Sequence, residues 1–352
     1  MASKQSIIEI ARKIGVAPST VSRVINNHPD VSPETYQRVK NEIDRLGFMP
    51  NAAARSLASK RSYTIAMVTS DLVYYPNLIL AQVEDLARHR GYKLFVSVID
   101  SELNPPSSQD DRLLETLIAY QVDGIIWSVQ EMTQSFELWN ERLHRLNIPV
   151  VCISSRCSES LSSVSVDNRQ GGHLVAMHLL EQGYRNIGTI TGPMQEIASL
   201  ERLAGWKQGL VEAGLPPAPR QIVESDWTAV DGERSFNQLY RQFSEIDAVF
   251  VQNDQMALGV YSAIHGLGLR IPDQIGVVGF DNRNEAALYL PPLTSVSHHF
   301  DELGLQAVEE IDRLIQLSPE ERTLETPKTV SIKPELVIRQ SSVLKKGGLG
   351  AN

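Results

Sequence analysis

The chain has 352 residues, 42% hydrophobic and 21% charged, an ordinary composition for a soluble globular protein too long for one minimal domain. No run of about 18 apolar residues is present to span a membrane, and the N-terminus carries Lys4, Glu9, Arg12 and Lys13 where a secretion signal needs an apolar stretch, so a cytoplasmic location is expected. The net charge of −9 is unevenly spread: residues 1–60 hold nine Lys/Arg against five Asp/Glu, a surplus of +4 that leaves −13 on the remainder. A basic head on an acidic body suits a protein that docks DNA by one end.

In the first sixty residues, Ser6 precedes Ile7, Ile8, Ile10, Ala11 and Ile14, a helical apolar spacing that Gly15 ends. A second short helix is predicted from Pro18, since proline is favoured at the first helical position. Val21, Val24 and Ile25 give it an apolar face, with Ser19, Thr20, Ser22, Arg23, Asn26 and Asn27 elsewhere on its surface. Ser32 is expected to cap a third helix, with Pro33 first, Glu34 near the positive end, Val39, Ile43 and Leu46 facing the core, and Gly47 as the stop. Three short helices with a tight Gly15-Val16-Ala17 turn describe a helix-turn-helix. Its second helix enters the major groove, which makes Pro18, Ser19, Thr20, Ser22, Arg23 and Asn26 the candidate DNA contacts. Arg23 can donate two parallel bonds to guanine O6 and N7, and the short hydroxyls suit phosphates or bases.

Residues 51–61 are predicted to be a hinge. The alanine-rich stretch Asn51 to Ser59 spans about two turns, below the ~12–15 residues that hold an isolated helix in water, so its order is expected to come from DNA.

From Tyr63 on, apolar strands alternate with amphipathic helices. Strands are predicted at Tyr63–Thr69, Lys93–Ile99, Gly124–Trp127, Val150–Ile153, Ile187–Thr191, Ala248–Val251 and Ile275–Phe280. Helices are predicted at Leu78–Arg90, Asp111–Gln121, Gly171–Gln182, Ala198–Ala213 and Met256–Gly266. Alternation of this kind implies parallel sheets covered by helices, and about 280 residues imply two such subdomains. Ligands of these folds sit at the carboxyl ends of strands. The residues leaving the strands are Ser70-Asp71, Ser128, Ser154, Asn253-Asp254 and Asp281-Asn282, a set suited to hydroxyl-rich ligands. Trp227 adds an aromatic face for the apolar side of a sugar ring. Asp254 is expected to cap a helix starting at Gln255 rather than to bind ligand. Trp206 reads as core, and Cys152 as a buried strand thiol rather than half of a disulfide.

These residues also carry a resemblance. Ile7 to Asn27 (IIEIARKIGVAPSTVSRVINN), Gly47-Phe48-Met49-Pro50-Asn51 and Ala53-Ala54-Arg55-Ser56-Leu57-Ala58 resemble the head of the lactose-repressor/galactose-repressor family. Further blocks are Gly192-Pro193, Arg202-Leu203-Ala204-Gly205-Trp206, Asn253-Asp254-Gln255-Met256-Ala257, Gly279-Phe280-Asp281 and Pro291-Pro292-Leu293-Thr294-Ser295-Val296. Ala17 departs from the family's usual serine, a loss of a helix cap. The resemblance implies that a hinge helix pairs with its twin in the minor groove and inserts Leu57 between base pairs, and it adds Asn51 and Arg55 to the DNA-facing set. It implies a core like the periplasmic sugar-binding proteins, with three crossovers and an effector between the subdomains. Arg202, Asn253 and Asp281 are its foremost effector contacts, then Trp227, then Ser70 and Ser128. At Ser154 lactose-type members have aspartate, which speaks against a galactoside-like effector.

The expected fold is an all-α helix-turn-helix head with a hinge helix, joined to an α/β core of two parallel-sheet subdomains. The expected boundaries are head 1–50, hinge 51–61, core 62–340 and a flexible tail 341–352. Within the core, the N-subdomain takes about 62–162 plus 293–320, and the C-subdomain about 163–292 plus 321–340. Adjacent His298-His299 would face opposite ways on a strand and make a poor metal pair. No zinc spacing, P-loop, G-x-G-x-x-G or nucleophile elbow is present, so neither metal, cofactor nor enzymatic activity is expected. The expected protein is a DNA-binding repressor, a homodimer on a near-palindromic operator, controlled by a sugar. A purine-type effector is the alternative, and a sugar-binding transport protein the alternative outside regulation; Asn253 and Trp227 favour sugar, since purine-type members differ there.

Overall fold

The computed structural model describes residues 7–25, 30–48, 56, 61–70, 72, 75–99, 108–129, 136–153 and 160–344. The chain divides into two compact units, Met1–Ser62 and Tyr63–Asn352.

The first unit holds helices α1 (Ile7–Ile14), α2 (Pro18–Ile25) and α3 (Pro33–Leu46). Their ends follow the local chemistry. Ser32 accepts a hydrogen bond from Thr35 N at 3.3 Å, and Gly47 closes α3 at φ 58°, a left-handed conformation that favours glycine. Ala17 has no hydroxyl to cap α2, yet its carbonyl accepts from Thr20 N at 2.9 Å and Val21 N at 3.3 Å, so the helix starts there. Ile10, Ala11, Val21, Val24 and Val39 form the core. Arg38 Nη2 donates to Ile14 O at 2.8 Å, which satisfies a carbonyl at the end of α1 and ties it to α3.

The second unit contains two six-stranded sheets. The first is built from β1 (Thr64–Thr69), β2 (Lys93–Val98), β3 (Gly124–Ser128), β4 (Val150–Ile153), β5 (Ser162–Val166) and β11 (Thr329–Ile332), in the order β11-β5-β4-β3-β1-β2 and parallel throughout. Helices α4 (Tyr75–His89), α5 (Ser108–Ala119), α6 (Phe136–Arg145), α11 (Phe300–Gln316) and the short α12 (Pro319–Leu324) accompany it. The second sheet holds β6 (Ile187–Thr191), β7 (Ile222–Glu224), β8 (Ala248–Val251), β9 (Gly276–Asp281), β10 (Thr294–Ser297) and β12 (Glu335–Val337), in the order β12-β10-β9-β8-β6-β7. Only β12 runs antiparallel, against β10. Its helices are α7 (Asn168–Gln182), α8 (Ile197–Glu212), α9 (Ala229–Gln242) and α10 (Asp254–Gly266). Each sheet is buried by apolar clusters on both faces, as parallel sheets require.

Pairing moves the crossovers from the expected positions. Ser162–Val166 pairs with β4, Thr294–Ser297 with β9, and Thr329–Ile332 with β5. The chain therefore passes between sheets after Val166, between β10 and α11, and between β11 and β12, rather than near 162, 292 and 320. These strands are short and serine- or threonine-containing, so no apolar run marks them. Cys152 is buried on a strand as expected, but not as a free thiol: it is disulfide-bonded, and the chain's one other cysteine, Cys157, lies outside the described residues. No helix among the described residues is long and apolar enough to cross a membrane.

Candidate functional site

In the head, α2 turns Val21 and Val24 inward and leaves Pro18, Ser19 and Arg23 exposed, with Thr20 and Ser22 half-buried. Two other basic groups of the head are already engaged. Arg45 donates to Glu42 at 2.8 and 2.7 Å, and Lys13 lies 3.3 Å from the same carboxylate. Together they hold the Glu42 carboxyl down to about 2, the Arg45 hydrogen bond contributing most. Arg23 has no such partner among the described residues, so its guanidinium faces solvent with its donors available. Asn26, Asn51, Arg55 and Leu57 lie outside the described residues, as does nearly all of the expected hinge.

In the core, the effector candidates stand at strand ends. Ser70 follows β1 and Ser128 ends β3, on neighbouring strands whose register sets Thr69 beside Ser128. Ser128 is buried, and Ser70 Oγ is buried without a hydrogen-bond partner. Ser154 lies outside the described residues.

The second sheet brings Arg202, Trp227 and Asp281 together. Arg202 is carried on α8, which is drawn against α7 because Gly172 and Gly205 meet the partner backbone; a Cβ on Gly205 would lie 1.8 Å from Arg169 O. Arg202 is 5% exposed, so it is no surface ion pair. Nε donates to Asn168 Oδ1 at 2.8 Å, Nη1 to the Gln252 carbonyl, and Nη1 stands 4.0 Å from Asp281 Oδ1. The guanidinium lies 3.8 Å from the Phe280 ring centre and 5.6 Å from that of Trp227. Asp281 and Asn282 adopt φ of 105° and 50°, left-handed conformations unusual for residues with side chains, a strain that turns the chain sharply at the end of β9.

Trp227, also left-handed at φ 74°, is clamped. Its indole N–H donates to Glu196 Oε1 and Oε2 at 3.0 and 3.1 Å, and its carbonyl accepts from Asn253 Nδ2 at 3.1 Å. The ring lies so close over Gly192 that a Cβ there would be 2.0 Å from it. Asn253 also accepts from Met256 N at 2.7 Å, which makes Asn253 the N-cap of α10 and a brace for Trp227. Asp254, expected to be that cap, is instead the first residue of α10 and fully buried. Its carboxyl accepts from Ser295 Oγ at 2.6 Å and Arg283 N at 2.8 Å. Burial and the charge of Asp281 push it up to about 8.

Sequence reasoning missed His298 as part of this cluster. His298 Nε2 is 2.9 Å from Asp281 Oδ1 and 3.2 Å from Arg202 Nη2. Its ring is stacked on Phe300 at 5.1 Å and meets Phe280 edge-on at 5.0 Å. Burial pushes the imidazole below its ordinary value although Asp281 pulls it up, so the neutral ring prevails. A neutral ring has one N–H, and the carboxylate claims it at Nε2; Arg202 is then met by charge rather than by that nitrogen. The detectable signal was positional: His298 directly follows β10, as the other site residues follow their strands. Glu196, likewise unforeseen, sits in the loop after β6. Among the described residues, no group of three or more His, Cys, Asp or Glu could hold a metal.

A helix-turn-helix joined to a two-sheet α/β core with polar strand ends is the build of a ligand-responsive regulator. Residues 6–51 match the bacterial regulatory proteins of the lacI family, and residues 176–342 match a periplasmic binding protein-like domain. The chain is 34% identical to the HTH-type transcriptional repressor PurR of Actinobacillus pleuropneumoniae serotype 3 (strain JL03), over 96% of this chain and 98% of the relative. It resembles the lac repressor dimer bound to operator and the anti-inducer ONPF, with TM-score 0.80 and 27% identity, covering 97% of this chain and 100% of that one. The complex of the transcriptional regulator CelR with cellobiose gives TM-score 0.71 and 28% identity, covering 96% and 99%. The chain belongs to the lacI family of bacterial regulatory proteins: it is a DNA-binding transcriptional regulator.

Proposed function

We propose that the protein is a cytoplasmic repressor that binds a near-palindromic operator as a homodimer and responds to a sugar or sugar derivative. Its head (1–50) and hinge (51–61) carry the DNA contacts, and its core carries the effector site and the dimer contact; the expected core end at 340 and flexible tail from 341 come too early, because Ser341 and Ser342 are fully buried and bonded to Val277, Thr294 and His178. The observation that carries the DNA reading is Arg23, exposed and without an ion pair among the described residues, on a helix whose other face is locked in the head core. Pro18, Ser19, Thr20, Ser22 and Asn26 complete the groove contacts. Asn51, Arg55 and Leu57 act from the hinge, Leu57 as the minor-groove wedge.

Sugar is favoured by the cluster around Arg202. Asp281 offers acceptors, Arg202 donors and Trp227 an aromatic face, the combination that matches hydroxyls and the C–H face of a pyranose. Asn253 supports the site by fixing Trp227, and Ser70, Ser128 and Ser154 supply hydroxyls from the first sheet. Effector binding shifts operator affinity by a coupling of about 1–3 kcal/mol. Dimerisation is supported by Leu258, Leu288 and Leu290, which are 50%, 79% and 89% exposed and border one hollow of the second subdomain. A thermal-shift screen of sugars against purines tests the effector class. Stabilisation by sugars is expected, and stabilisation by purines alone overturns it.

A further inference from the structure

The strands of the first sheet run parallel, so their starts lie on one edge and their carboxyl ends, with Ser70 and Ser128, on the other. At the starting edge a cavity of about 670 Å³ opens between the end of α6, the beginnings of β4 and β5, and α12. Its apolar lining includes Leu146, Ile148, Leu161 and Leu314. A cavity of this size, mainly apolar with a few charged groups, matches the dimensions of small-molecule sites.

Three arginines line it and differ in state; Arg145 pairs with Glu141 at 3.3 Å. Arg313 is consumed: it donates to buried Glu310 at 3.0 Å through both Nε and Nη2, and to Glu325 at 2.6 Å. Glu310 is fixed in turn by Ser162 Oγ at 2.8 Å. Arg322 also lines the cavity, but forms no ion pair or side-chain hydrogen bond among the described residues. Partial burial pushes its guanidinium below the ordinary arginine value, opposed by the charge of Glu320. The turn that carries it is fixed by a reciprocal cap, Ser318 N to Glu321 Oε2 at 2.8 Å and Glu321 N to Ser318 Oγ at 3.2 Å. A partly desolvated, positioned guanidinium is half of a bidentate carboxylate pair.

We propose that this cavity is a second small-molecule site, which takes an amphipathic carboxylate with its apolar body on Leu146, Ile148, Leu161 and Leu314 and its anionic group on Arg322. It is separate from the Arg202 cluster, at the edge where the chain enters the core at Thr64. Among the described residues Arg322 is the one lining arginine without an acidic partner, so a singly charged group is specified rather than a doubly charged phosphate monoester or a dicarboxylate.

The probe is 8-anilinonaphthalene-1-sulfonate, an apolar body with one anionic group, titrated into the full-length protein. Saturable binding at one site per chain is expected. Octanoate should displace the probe at concentrations at least about tenfold below those needed with 1-octanol, which has the same tail and no charge. Arg322→Glu should weaken probe binding about tenfold or more, Arg322→Gln less, and Arg322→Lys least, with melting temperatures unchanged because the side chain supports no other group. Absence of saturable binding, equal competition by octanol, or wild-type affinity in Arg322→Glu and Arg322→Gln overturns the assignment.

Discussion

Replacing Asp254 with asparagine should make the protein more stable in alkaline solution and flatten its response to pH. The carboxyl is fully buried and pushed up to about 8, against 3.8 for a free aspartate. The native state therefore holds a proton that the unfolded chain has released throughout the window from about 4 to 8. Where the native state binds the extra proton, stability falls as pH rises, by about 1.4 kcal/mol per pH unit. Between pH 5.5 and 8 this one group removes about 3 kcal/mol from the wild-type protein, and the loss levels off above that. The amide of Asp254→Asn imitates the protonated acid: Oδ1 accepts from Arg283 N–H as the carboxyl does now, while Nδ2 donates to Ser295 Oγ, whose hydroxyl turns from donor to acceptor. The other titrating groups are shared, so the difference between variant and wild type reports Asp254 together with its effect on Asp281. Urea unfolding followed by tryptophan fluorescence at pH 5.5, 7 and 8.5 measures it. The variant's advantage should grow by about 3 kcal/mol across that range. Parallel pH profiles for the two proteins would refute the reasoning, because they would mean Asp254 is charged in the native state at every pH tested.

Three further outcomes follow from the sites. Arg23→Ala should cost about 1–3 kcal/mol of operator affinity in fluorescence anisotropy on DNA selected by the wild type, while binding to unrelated DNA changes far less. Asp281→Asn and Trp227→Ala should abolish the thermal shift produced by an active sugar and leave operator affinity without sugar within about threefold, since neither residue is on the head. Leu288→Asp with Leu290→Asp should yield monomers in sedimentation velocity and weaken operator binding by about a hundredfold or more, through loss of the second head; an intact dimer would place the contact on another face.

The helices of the head were legible almost to the residue, because Pro18, Ser32, Pro33, Gly15 and Gly47 each act through local chemistry that needs no tertiary partner. The long apolar strands of the core were legible for a related reason: burial on both faces leaves an unbroken hydrophobic run, as in Ile187–Thr191. Ser162–Val166, Thr294–Ser297 and Thr329–Ile332 carry no such run and exist because a neighbouring strand pairs with them, which shifted every crossover. In the site, the expected Arg202, Trp227 and Asp281 converge, since the rule that functional side chains follow strand ends needs only the strands. His298 obeys the same rule but leaves a strand that had not been seen. Asn253 and Asp254 are both good caps, and only the starting point of α10 decides between them.

The exchange of segments between the sheets bears on how the molecule is made. Thr329 lies beside Ser163, so the first sheet closes with a strand synthesised more than 160 residues after its neighbour. Helix α11, whose Leu303, Ala307, Val308 and Ile311 complete that sheet's apolar cluster, arrives only after all but β12 of the second sheet has been translated. Neither half can finish before the other is largely made, and the first must wait with its hydrophobic face open until Phe300–Gln316 has emerged and with its edge unpaired until Thr329–Ile332 has followed. A nonsense codon shortly after Asp281 would thus spoil the amino-terminal sheet as thoroughly as the carboxyl-terminal one.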